Sequence, residues 1–106
     1  MDKNTEIILK SVVGYIINNF EKSTKIIDLG CGRAYIVQEL IRKGFQYVYG
    51  LDVKDQREFT QFQFLDNIDL CTPYWSEKVI NNFDKFDLAI ATEVIEHLTN
   101  PYIFFK

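Results

Sequence analysis

Lys25-Ile26-Ile27-Asp28-Leu29-Gly30-Cys31-Gly32-Arg33-Ala34 is the stretch from which the rest of the chain takes its order. The apolar pair Ile26-Ile27 leads into an acid, and two glycines one residue apart follow. An amphipathic segment, Tyr35 to Lys43, comes next. That succession reads as strand, tight turn and helix, the first half of a βαβ unit. Glycine at Gly30 and Gly32 lets the backbone turn sharply and approach a ligand without an intruding Cβ. The turn delivers that ligand to a helix N-terminus with unpaired N–H groups. Asp28 places an acceptor beside the same pocket.

Two nucleotide-type ligands use such a turn. Dinucleotide folds require Gly-x-Gly-x-x-Gly, so that the pyrophosphate lies against the helix and the helix against the strand. Here the third glycine position is Tyr35. Asp28 also repels a phosphate and welcomes an ammonium group. Both residues disfavour a nicotinamide-dinucleotide domain. Asp28-Leu29-Gly30-Cys31-Gly32 resembles motif I of the class I S-adenosylmethionine-dependent methyltransferases, with Ala34 where that motif commonly has its third glycine. The resemblance implies S-adenosylmethionine as cofactor, with Asp28, Gly30, Cys31 and Gly32 in its site.

Composition sets bounds without naming a function. A chain of 106 residues makes one small domain, here residues 1–106, and its 47% apolar and 25% charged content are those of a globular protein. A net charge of −3 gives no footprint for nucleic acid or an anionic membrane surface. No run approaches the ~18 apolar residues of a membrane span, and the N-terminus lacks a signal-peptide layout. Cys31 and Cys71 have neither metal nor redox spacing, which predicts a reduced, cytoplasmic protein.

Working outward, residues 5–20 carry Ile8, Val12, Ile16 and Phe20 at helical spacing, with Ile7, Val13 and Ile17 widening the stripe. Asn4 is the expected N-cap, and Gly14 is tolerable if the helix packs closely there. In the resembled family such a helix can close over the cofactor. The helix after the glycine turn spans about 34–43 and stops at Gly44. Tyr47 to Leu51 reads as an interior second strand ending at Asp52. Asp52 lies 20 residues past Gly32, the range in which a second-strand carboxylate reaches a ribose. Its two oxygens suit a vicinal diol, and Val53 adjoins it in the expected cofactor site. An exposed turn acid before Lys54-Asp55 is the plainer alternative.

Lys54 to Gln61 reads as loop or one irregular helical turn, and Phe62 to Leu65 as the third strand, closing at Asp66-Asn67. In the family an acid after this strand meets the exocyclic amine of adenine. Asp66 fits by position, with the Asn67 backbone beside it, although an Asp/Asn turn near Asp69 needs no ligand. Thr72 to Phe83 holds a short helix after Pro73, and Phe86 to Ala91 the fourth strand. Asn100-Pro101 opens a further helix.

Thr92-Glu93-Val94-Ile95-Glu96-His97-Leu98 is similar to the signature after the fourth strand of many small-molecule class I methyltransferases, so the resemblance covers residues 20–106. It is nearest to the broad subgroup of ubiquinone-type O-methyltransferases and sugar or lipid-biosynthetic enzymes. It implies methyl transfer to a small-molecule acceptor, with His97 a candidate base wherever the nucleophile must lose a proton. Glu93, Glu96 and His97 share one helical face and form an alternative metal cluster, as in some related families. The simpler reading keeps the chain metal-free, with Glu96 and His97 capping the turn and the Glu93 backbone near the methionine end of the cofactor.

A class I methyltransferase has seven strands, and four are legible here. The implied fold is a partial, Rossmann-like, doubly wound α/β sheet of order 3-2-1-4, parallel, with helices on both faces. Its fourth strand becomes an apolar edge. The expectation is a truncated product, or a homo-oligomer that pairs these edges. Two functions follow: an enzyme whose cofactor half is present, or a non-catalytic binding or structural remnant.

Overall fold

The computed structural model describes residues 3–92. Its strands are β1 (Lys25–Leu29), β2 (Tyr47–Leu51), β3 (Gln63–Leu65) and β4 (Leu88–Ile90). The helices are α1 (Lys3–Asn19), α2 (Tyr35–Arg42) and α3 (Trp75–Phe83). All strand pairs are parallel, in the order β3-β2-β1-β4. β1 is central because it is apolar on both faces. It pairs with β2 from Lys25 opposite Tyr47 to Leu29 opposite Leu51, and with β4 from Ile26 to Asp28. This is the expected partial Rossmann-like sheet.

Alternation along the strands divides the core in two. Ile26, Val48 and Ile90 face α1 and α2, packing with Val13, Ile16, Val37 and Leu40. Ile27, Leu29 and Leu51 face the other way, against Val79 of α3 and against Ile68 and Leu70. Helices on both faces thus bury a sheet that has no polar face. Each fully buried Leu or Ile contributes about 1.5–3 kcal/mol.

At the lower end of the sheet Lys25 and Asp87 clasp each other. The Lys25 N–H donates to the Asp87 carboxylate, and the Asp87 N–H to the Lys25 carbonyl, both at 2.9 Å. The Lys25 ammonium donates to the Phe83 carbonyl at the end of α3. It also lies 4.8 Å from the centre of the Phe86 ring, a favourable cation–π position.

Several local expectations are corrected. Asn4 lies inside α1 rather than capping it. Ile7 and Ile8 are exposed, whereas Leu9, Val12, Val13, Ile16, Ile17 and Phe20 pack inward. The first turns of α1 lean over the strand ends, where the sheet offers no face to bury them. A Cβ at Gly14 would meet nothing within 4 Å, so close packing is not the reason for that glycine. β3 starts one residue late because Phe62 leaves the strand line. Its ring would lie 2.9 Å from a Cβ built on Gly50. The crossover from β2 to β3 is a loop, the first of the two expected forms. α3 begins at Trp75, after Pro73 as expected, and Asp69 to Thr72 before it folds into a turn through the Asp69 carbonyl and carboxylate.

Candidate functional site

Where β1 and β4 end, a cleft of about 310 Å³ opens. Thr5 and Leu9 of α1 roof it, Asp28 and the turn 30–33 form its floor, and Tyr35 and Thr92 flank it. The turn is built by three left-handed residues in alternation, Gly30 (φ 75°), Gly32 (φ 55°) and Ala34 (φ 71°). Ala34 adopts a conformation that disfavours a Cβ by about 1–2 kcal/mol, and it is completely buried. A Cβ on Gly32 would meet no protein atom within 4 Å. The space beside it is open.

Asp28 is the only charged residue buried among the described residues, at 2% exposure. Its Oδ1 has no hydrogen-bond partner there. Burial pushes its carboxyl up to about 8, and the negative charge of Asp52 adds to the effect. The Cys31 thiol in the same turn is pushed up to about 12, first by burial and then by Asp28 and Asp52. It is a small apolar filler against Gly50 rather than a thiolate nucleophile.

The second set of expected residues sits at the ends of β2 and β3, outside the cleft lining. Asp52 accepts the Gly32 N–H at 2.9 Å and the Val53 N–H at 2.7 Å, one on each carboxylate oxygen. Each oxygen keeps room for a further donor. Asp66 and Asn67 are exposed. The Asn67 N–H donates to the Val53 carbonyl, and the Ile68 N–H to the Asp52 carbonyl. The two sets meet at Gly32, which lines the cleft and holds Asp52 on its other side. Asp69 serves its own turn, accepting the Cys71 N–H at 2.8 Å. Glu93, Glu96 and His97 lie outside the described residues.

The contacts that order the loop between β2 and β3 went unread in the sequence. The Arg57 guanidinium donates twice to Asp55, at 2.8 Å each, and lies 4.0 Å from the centre of the Phe64 ring. Arg57 holds the Asp55 carboxyl well below the usual carboxylate range. The Glu58 N–H donates to the Arg33 carbonyl, and their side chains pair at 3.5 Å. The loop is thereby tied to the glycine turn. The pattern Asp-x-Arg followed by Phe59, Phe62 and Phe64 was the available signal. Thr5 and Leu9 were also missed as lining residues, because periodicity marks a helix face without showing what it covers.

The arrangement joins a buried carboxyl at Asp28 to an open cleft beside the glycine turn. Residues 3–106 match the methyltransferase domain family. The chain belongs to this family. It is a class I S-adenosylmethionine-dependent methyltransferase domain, and S-adenosylmethionine is the methyl donor that membership implies. It is 36% identical over 89 residues to a mitochondrial ubiquinone biosynthesis O-methyltransferase of Arabidopsis thaliana, covering 77% of this chain and 27% of the relative. The corresponding enzyme of Bradyrhizobium diazoefficiens is 30% identical over 84 residues, covering 77% of this chain and 33% of the relative. N-methyltransferase 4 of Papaver somniferum is 31% identical over 87 residues, covering 76% of this chain and 24% of the relative. The methyltransferase chain therefore spans about a quarter to a third of the length of these relatives.

Proposed function

We propose that residues 1–106 form the cofactor-binding part of an enzyme that moves a methyl group from S-adenosylmethionine to a small-molecule acceptor. The observation that carries this reading is the buried Oδ1 of Asp28, unpartnered among the described residues, beside a glycine turn that leaves open space at Gly32. A buried carboxylate needs a cation, and the methionine part of the cofactor carries an ammonium group. Asp28 receives that group, while the backbone of Gly30, Cys31 and Gly32 lets the chain pass close to it. Asp52, already fixed by two N–H donors, accepts from the ribose hydroxyls. Val53, Asp66 and Asn67 border the adenine.

Bound in this way, the donor supplies a methyl made electrophilic by its sulfonium charge, so the protein's own contribution is placement. Where the acceptor must lose a proton, His97 is the proposed base, and Glu93 is the proposed contact for the methionine end. The relatives' names include an O- and an N-methyltransferase, so the reading extends to a nucleophilic oxygen or nitrogen and stops there. Neither Cys31 nor Cys71 forms a disulfide among the described residues, which fits the reducing cytoplasm. No described helix is long and apolar enough to cross a membrane.

Isothermal titration with S-adenosylmethionine tests the reading. Saturable binding is expected, weakened roughly 10–100-fold by Asp52→Ala, or about 1.4–2.7 kcal/mol. No binding by a sample folded by circular dichroism would overturn it.

A further inference from the structure

The Asp28 carboxyl group is held in a way that decides what happens when the cleft fills. Its Oδ1 accepts no hydrogen bond among the described residues. From β2, the group acting on it electrostatically is the carboxylate of Asp52. From the glycine turn come the Cys31 thiol, in its neutral form, and Arg33. The Arg33 guanidinium pairs with Glu58 and is 68% exposed. From α2 comes Tyr35, and α1 presents Thr5 and Leu9. Arg57 in the β2–β3 loop is engaged by Asp55. No described cation pairs with Asp28.

We infer that Asp28 holds a proton while the cleft holds no cation, and that arrival of the cofactor's ammonium group drives this proton into solvent. The inference rests on the function proposed above and adds to it a proton-linked step. An isolated carboxylate in this position is strongly unfavourable, so the group stays neutral. An ammonium placed against it reverses the preference, since the ion pair is then mutually compensated. The step balances: a neutral carboxylic acid and an ammonium ion become a carboxylate–ammonium ion pair and one free proton. One O–H bond breaks, no carbon bond changes, and the proton leaves through the open cleft. Asp28 thus couples cofactor affinity to pH. Binding strengthens as pH rises toward 8, because fewer chains must give up a proton.

Titration calorimetry with S-adenosylmethionine at pH 5.5 and 6.5, in phosphate and in imidazole buffer, measures the released protons directly. Both values lie well below the roughly 7.7–8.0 at which an α-amino group titrates. Near one proton released per cofactor is expected, with affinity about tenfold higher at the upper pH. Asp28→Asn, folded by circular dichroism, should lose both the release and the pH dependence. 5′-Methylthioadenosine, which has the nucleoside but no ammonium group, should bind without releasing a proton. S-adenosylmethionine binding that is flat with pH and buffer overturns the inference while leaving the proposed function intact. So does a proton released by 5′-methylthioadenosine or by the Asp28→Asn chain. Failure of S-adenosylmethionine to bind a folded chain at either pH overturns both.

Discussion

The ends of β1 and β2 each carry an aspartate, and the two are treated in opposite ways. Asp52 is half-exposed and preorganised, with one backbone N–H on each oxygen. Asp28 is buried with an oxygen that nothing among the described residues satisfies. The register makes the contrast sharper: Asp28 lies opposite Gly50, one strand position short of the β2 end. The difference teaches that a strand-end acid is two devices. Under the proposed function, Asp52 is a finished acceptor for a neutral hydroxyl, and Asp28 is half of an ion pair for the ligand's ammonium group to complete.

The largest expected effect that probes this contrast is on the pH dependence of stability. Asp28 is raised to about 8 in the folded state, against an ordinary value near 4. Between these limits the folded chain holds a proton that the unfolded chain has lost. Unliganded stability therefore falls as pH rises from about 4 to about 8, by up to several kcal/mol. Asp28→Asn should flatten that slope in urea titrations at pH 5, 6.5 and 8. If the slope persists, Asp28 is not its source and the contrast between the two acids weakens.

Gly50→Ala comes next. Its Cβ would lie 2.9 Å from the Phe62 ring and 3.0 Å from the Cys31 sulfur, in a packed interior. Chemical denaturation should show a loss of about 1–3 kcal/mol from overpacking. Gly32→Ala should lose less, about 1–2 kcal/mol, because its left-handed backbone is the obstacle and the space is open. Its cofactor affinity should fall by more than its stability, since that space borders the cleft. Equal losses in both would reduce Gly32 to a turn residue. Ala34 already shows that this turn carries an alanine in the left-handed region.

β1 and β2 were legible to the residue, because each is an apolar run stopped by a glycine or an acid. The order β3-β2-β1-β4 followed from the motif I resemblance. The shift of β3 was not legible, because Phe62 alternates correctly for a strand and is drawn off only by the empty space over Gly50. The exposure of Ile7 and Ile8 was hidden for a related reason. Helical periodicity identifies a stripe, and only the sheet's extent tells where that stripe runs out of partners. Asp28, Gly30, Cys31 and Gly32, which line one cleft, were named together through the resemblance to motif I. The asymmetry between Asp28 and Asp52 was not, since a sequence does not record which N–H groups a carboxylate receives. Arg57 escaped because its partners are aromatic rings brought together by a loop of no regular period.

The clasp between Lys25 and Asp87 also has a temporal side. These residues are 62 positions apart, so β1 emerges from a ribosome well before β4 exists. At about 5–20 residues per second, β1 waits roughly 3–12 s for that neighbour. During this interval Ile26 and Ile27 form a sticky, half-paired template, open to misassembly with other nascent chains. The central position that lets β1 present Asp28 to the cleft is thus completed only by a strand made late in synthesis.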